Sequence, residues 1–296
     1  MSETLEIELE AADHEFTIRV YPAAEPNGSM LVWLHGGAFM FGDIDMPEAD
    51  QVGRRLSAEG CTVVSVDYTL APMDAVEALG PPPADLDMPT PAELAAAAGD
   101  RRRARFPVAS RQVVAAFDWA VANAESLGGE PTRIALGGAS AGGNLSAGAA
   151  LRLRDRGTAK PSVVTLVYPV LHAPLPAPDA ELEALLEGLP RALTFPPEST
   201  AAINSNYLGD DPDGDGYAFP GGHDLRGYPS TVIVNADRDR LRASGQAFAA
   251  ELAIAGVDVM LHREDGALHG YLNEVGHPAA EHTLALLTQV IGQARG

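Results

Sequence analysis

Apolar and polar residues alternate over Leu5–Leu9 and Glu15–Tyr21, the period-two pattern of half-exposed edge strands. Six further segments read as strands: Met30–His35, Thr62–Asp67, Arg133–Gly137, Val163–Tyr168, Thr231–Asn235 and Asp258–His262. Four of them carry continuous apolar runs (LVWLH, TVVSVDY, SVVTLVY, STVIVNA), as strands covered on both faces do. Helical segments fall between them at Pro47–Glu59, Val108–Ser126, Ala141–Asp155, Arg242–Ala255 and Pro278–Ala294. In the second of these Val113, Ala116, Phe117, Ala120 and Val121 share one face. Such alternation predicts the α/β class, with a mostly parallel eight-stranded sheet flanked by helices on both faces.

Two stretches break the alternation. Met73–Arg105 holds the turn-rich Gly80-Pro81-Pro82-Pro83, a short helix-like Pro91–Ala98 and three successive arginines, Arg101–Arg103. His172–Tyr207 holds a helix-like Ala180–Leu186 between proline clusters. Both exceed an ordinary connection. They read as insertions, near 73–105 and 172–207, over the C-terminal edge of the sheet, where open α/β folds bind ligands. The length of 296 residues suits one domain of this class, with the insertions as cap elements.

Composition narrows the partners. The net charge is −21 and Lys160 is the one lysine, so nucleic acid is excluded as a partner. Cys61 is the single cysteine; it opens an apolar strand and is expected to pack as a small buried thiol. The N-terminus is acidic from residue 3 and does not read as a signal peptide. No apolar stretch is long enough to span a membrane, and a cytoplasmic location is expected. The edge strand near Asp258–His262 offers a surface on which two copies could pair as a homodimer.

The chemistry centres on Gly138-Ala139-Ser140-Ala141-Gly142, a G-x-S-x-G pentapeptide between a strand and a helix. A serine on such a turn is held in a strained backbone conformation with its hydroxyl exposed, the nucleophile elbow of α/β-hydrolases. A hydroxyl is a weak nucleophile at neutral pH; it needs a base, a carboxylate to orient that base and donors for an oxyanion. His269, in a loop after the last strand and followed by glycine, stands where the base of this fold sits. Asp237 and Asp239 both follow the strand Thr231–Asn235 and are both geometrically possible acids. Oxyanion donors are expected from Ala141 at a helix N-terminus and from His35-Gly36-Gly37-Ala38-Phe39 after the Met30–His35 strand.

Five blocks in this order, His35–Phe39, Asp67-Tyr68-Thr69-Leu70-Ala71-Pro72, Gly138–Asn144, Asp239-Arg240-Leu241-Arg242 and His269-Gly270, resemble the hormone-sensitive lipase family of α/β-hydrolases. The resemblance implies a serine carboxylesterase acting on short- to medium-chain acyl esters, without metal or cofactor. It also implies Ser140, Asp239 and His269 as the catalytic residues and Gly36, Gly37, Ala38 and Ala141 as the oxyanion loop and donors. There are departures: HGGA replaces the usual HGGG, Ala139 stands where the family often has an acid, and the helical N-terminal cap is largely missing. An amidase or peptidase would share the triad, but nothing here supplies peptide recognition. Plant gibberellin receptors resemble the same family and bind ligand without a catalytic histidine, which this chain retains. Asp211-Pro212-Asp213-Gly214-Asp215-Gly216 imitates a calcium loop but has Gly222 at its twelfth position, so it reads as a solvated turn.

Overall fold

A computed structural model describes residues 3–82 and 89–294. Residues 83–88 of the first insertion, including Pro83 of its proline run, lie outside the described residues. The strands are β1 Leu5–Ala11, β2 His14–Tyr21, β3 Gly28–Leu34, β4 Thr62–Asp67, β5 Gly129–Ala139, β6 Val164–Val167, β7 Thr231–Arg238 and β8 Val259–Leu268. They form one eight-stranded sheet in the order β1-β2-β4-β3-β5-β6-β7-β8. β1 and β2 run antiparallel, β2 joins β4 antiparallel, and every other pairing is parallel.

The helices are α1 Pro47–Ala58, α2 Pro91–Ala97, α3 Val108–Asn123, α4 Ala141–Arg156, α5 Ala180–Leu186, α6 Arg191–Thr194, α7 Pro197–Leu208, α8 Arg242–Ile254 and α9 Pro278–Gln293. Successive residues of a strand point to opposite faces, which sorts the core into two layers. Val32 and Leu34 of β3 join Val64, Val66, Phe117 and Leu145 under α3 and α4. Leu31 and Trp33 face the other way, onto Val52 and Leu56 of α1 and Leu284 and Leu287 of α9. Each such side chain, fully withdrawn from water, contributes about 1.5–3 kcal/mol. Among the described residues no helix is long and apolar enough to cross a membrane. Cys61 is buried, and burial pushes its thiol up to about 12.

The expected elements are all present, and the differences have local causes. β8 continues past His262 to Leu268 through Arg263-Glu264-Asp265: Arg263 and Asp265 are exposed at the sheet edge, while Glu264 is buried and bonded to His282 and Thr283 of α9. α7 adds a helix the sequence pattern does not predict within the second insertion, because PESTAAINSNYL is rich in helix-neutral polar residues. Several of those polar residues face inward: Asn206 Nδ2 donates to Pro72 O at 2.7 Å, and Thr200 and Asn204 are 5% and 4% exposed. The run 211–216 is a turn in which Asp213 accepts the N–H groups of Ala218 and Phe219, both at 2.8 Å.

Candidate active site

β5 ends at Ala139 and α4 begins at Ala141, leaving Ser140 alone in the turn. Its backbone has φ 54° and ψ −116°, a conformation that costs a non-glycine residue on the order of 1–3 kcal/mol. The turn is held by Ser140 N–H donating to Val167 O at 2.9 Å. A Cβ on Gly138 would strike the Gly142 backbone, and one on Gly142 would strike the Leu34 and His35 carbonyl oxygens. The two glycines therefore let β3, β5 and α4 converge on the serine.

The loops after β7 and β8 bring the other candidates to it. His269 Nε2 lies 2.9 Å from Ser140 Oγ, and His269 Nδ1 lies 2.6 Å from Asp239 Oδ2. Asp239 is fully buried, and its second oxygen accepts Leu241 N–H at 2.9 Å. The imidazole packs against two rings, Tyr168 at 4.8 Å and Phe195 at 4.5 Å between centroids. Asp237 points elsewhere, accepting Arg242 Nη1 at 3.0 Å and Gly266 N–H at 3.0 Å. His35 is buried, and burial lowers it to about 4, so it stays neutral, stacked on Tyr68 at 4.5 Å.

The loop after β3 corrects one expectation. Gly36 N–H donates to Glu48 Oε1 at 2.5 Å, so it is not available to an oxyanion. Gly36 also does not line the cavity, whereas Gly37, Ala38, Ala141 and Ser140 do. Among the described residues the N–H groups of Gly37, Ala38 and Ala141 donate to no other group. Left-handed backbone at Gly37 (φ 111°) and Ala38 (φ 50°) turns the loop toward Ser140. Gly37 is required there, since a Cβ would strike the Phe41 backbone.

Glu48 was not legible in the sequence, where it looks like an ordinary acid in a helix's first turn. It is buried beneath the loop, 2% exposed, and its other oxygen accepts Tyr168 OH at 2.8 Å. Burial pushes its carboxyl above the usual carboxylate range, against the opposing pull of the Tyr168 and Gly36 hydrogen bonds. Burial and the nearby Glu48 charge raise Tyr168 well above an ordinary phenol, so the phenol remains a donor. Tyr168 carries a sequence signal: it follows β6, the strand beside β5, at the C-terminal edge.

Above Ser140 lies a cavity of about 540 Å³, mainly apolar. Both insertions wall it. Leu79, Pro82, Pro89, Pro91 and Leu94 come from the first, and Leu193, Phe195, Pro196 and Ile203 from the second. α5 does not: Leu182 and Leu186 pack under Ala243 and Leu189.

The profile of a family described as an alpha/beta hydrolase fold matches residues 31–79 and 103–273. The unmatched interval falls within the first insertion. An arylesterase of Saccharolobus solfataricus is 30% identical over 279 residues, covering 92% of this chain and 78% of that protein. Carboxylesterase NlhH of Mycobacterium tuberculosis is 32% identical over 278 residues, covering 88% and 72%. The crystal structure of EstE1, a thermostable carboxylesterase from a metagenomic library, superposes with a TM-score of 0.79 at 28% identity, over 100% of this chain and 90% of that one. With most of the sequence inside the family profile and its elbow, loop and sheet order in place, the chain belongs to the hormone-sensitive lipase-like family of α/β-hydrolases.

Proposed function

We propose that this carboxylic ester hydrolase works through Ser140, His269 and Asp239 by way of an acyl-enzyme. His269 Nε2 takes the proton of Ser140 Oγ as the oxygen attacks the ester carbonyl. The resulting oxyanion is held by the N–H groups of Gly37, Ala38 and Ala141, with the α4 N-terminus adding its dipole. Asp239 holds His269 in the right tautomer and supports its positive charge. His269 then passes the proton to the leaving alcohol, and water repeats the sequence to release the acid.

The observation that carries this reading is the unbroken hydrogen-bond chain Ser140–His269–Asp239, at 2.9 and 2.6 Å, under an apolar cavity. Relatives named an arylesterase and a carboxylesterase are in line with this reaction class. A cavity of about 540 Å³ fits small esters of short to medium acyl chains, with the two insertions acting as the cap.

Ser140→Ala tests the reading. Hydrolysis of 4-nitrophenyl butyrate should fall by on the order of 10⁴-fold or more, with circular dichroism unchanged. A folded variant keeping a tenth of the wild-type rate would remove Ser140 as nucleophile.

A further inference from the structure

Ligand-type side chains gather at one other place, on the outer edge of the sheet. His262 and Glu264 stand two residues apart on β8, so their side chains leave the strand on the same face. α9 packs against that face and brings His282 to them. His282 Nδ1 lies 3.0 and 3.1 Å from the two Glu264 oxygens. His262 Nε2 lies 3.4 Å from Glu264 Oε1. All three ligand atoms fall within 4.8 Å of one another.

Two facts make this more than a chance cluster. Glu264 is 5% exposed, and among the described residues no arginine or lysine pairs with it; it is met by the two imidazoles and the Thr283 hydroxyl. A buried carboxylate without a cation is costly. The Nε2 atom of His262 is shut off from solvent and makes no hydrogen bond among the described residues. A cation placed between carboxylate and nitrogen would satisfy both. The carboxylate is also oriented from behind. Thr283 Oγ1 donates to Glu264 Oε1 at 2.8 Å, and Tyr271 OH in turn bonds Thr283 Oγ1 at 2.7 Å. Outer partners of this kind are what fix metal ligands.

We propose that His262, Glu264 and His282 bind a divalent transition-metal ion of the zinc class, with its fourth position open to solvent. Two imidazoles and a carboxylate form a borderline-soft donor set that suits zinc. Zinc bonds of about 2.0–2.2 Å put tetrahedral ligand atoms roughly 3.3 Å apart. The 3.0–3.4 Å separations around Glu264 already match, and the His282 side chain, 58% exposed, is free to turn and close the remainder. The ion takes no part in ester chemistry. It fastens β8 to α9, the two elements that bracket the loop carrying His269 and Tyr271, and so stiffens the frame of the base.

The test uses the full chain, stripped with chelator and freed of it, then titrated with Zn²⁺ by calorimetry and thermal melting. One ion per chain is expected, with a rise in Tm of about 5 °C when zinc exceeds its dissociation constant a hundredfold. His282→Ala and His262→Ala should each abolish binding and the rise, while matching the metal-free wild type in Tm and circular dichroism. His282 is exposed enough that its variant folds whatever the role of His262. Co²⁺ should give a visible absorption band in the wild type and none in either variant. Absence of saturable zinc binding, or binding that survives in both variants, would leave only a hydrogen-bonded triad and overturn the proposal.

Discussion

Asp237 and Asp239 sit two positions apart after the same strand, and their surroundings give them different work. Asp239 is aimed at His269 and has no exposure, while Asp237 ties Arg242 to the backbone of Gly266 at the base of the His269 loop. Asp239→Asn should therefore cut turnover by on the order of 10⁴-fold, because the imidazole takes the wrong tautomer. Asp237→Asn should keep most of the turnover and lose roughly 1–3 kcal/mol in urea denaturation, since Arg242 is left buried beside a weaker partner. The opposite ranking in a pair of kinetic assays would reassign the acid. Periodicity and spacing left both aspartates open; only the Asp-Arg-Leu-Arg block separated them. Glu48 carried no comparable signal, because its function comes from burial under the loop after β3. Its folded pKa is raised, so the unfolded chain loses the proton first as pH climbs. Its contribution to stability is thus largest at low pH and falls from the ordinary carboxylate range upward through the folded value. Glu48→Gln removes that titration, so the variant's penalty relative to wild type should be larger at pH 5 than at pH 8. A penalty equal at both values would mean Glu48 titrates as it does in the unfolded chain.

At the scale of elements, the strands and long helices were readable because each obeys one period and ends at a turn signal. β4 runs over Thr62–Asp67 and α5 over Ala180–Leu186, with the bounds the pattern predicts. The cavity walls were less readable. α7 hides behind a polar sequence in which Ser199, Thr200, Asn204 and Asn206 are buried, and whether α5 faces the cavity or the core cannot be read from Leu182 and Leu186 alone. The packing separates the two roles. Leu182→Ser and Leu186→Ser should lower stability by about 2–5 kcal/mol and reduce activity on all acyl lengths alike. Leu94→Ser and Ile203→Ser, which line the cavity, should change the acyl-length profile instead. A hydrophobic wall contributes roughly 0.8 kcal/mol per buried methylene, whereas an acetyl group scarcely reaches it. Rates on 4-nitrophenyl acetate, butyrate and octanoate decide between the outcomes. Equal losses on all three esters in the Leu94 and Ile203 variants would show that the two insertions do not select the acyl group.

At the scale of the molecule the dominant fact is charge: 41 acidic against 20 basic residues, net −21. Many of the arginines are already engaged on the surface, as in Arg19–Glu6, Arg105–Asp74 and Arg156–Asp118. Exposed pairs of this kind contribute only about 0–1 kcal/mol each. The acids in excess of the bases have no cation to answer them, and they repel one another across a compact surface. Repulsion acts over the Debye length, roughly 30 Å at 0.01 M salt and 3 Å at 1 M, so salt relieves the long-range excess before it weakens the close pairs. Tm should therefore rise as NaCl is increased from about 0.01 to 0.5 M at pH 7.5, and KCl should match it. Near pH 4.6, where the net charge is close to zero, the same addition should have little effect. Calorimetric melts across that grid test the argument. A Tm that falls with salt at pH 7.5 would mean the arginine pairs outweigh the repulsion, and a rise with NaCl alone would point to a bound sodium ion rather than to screening.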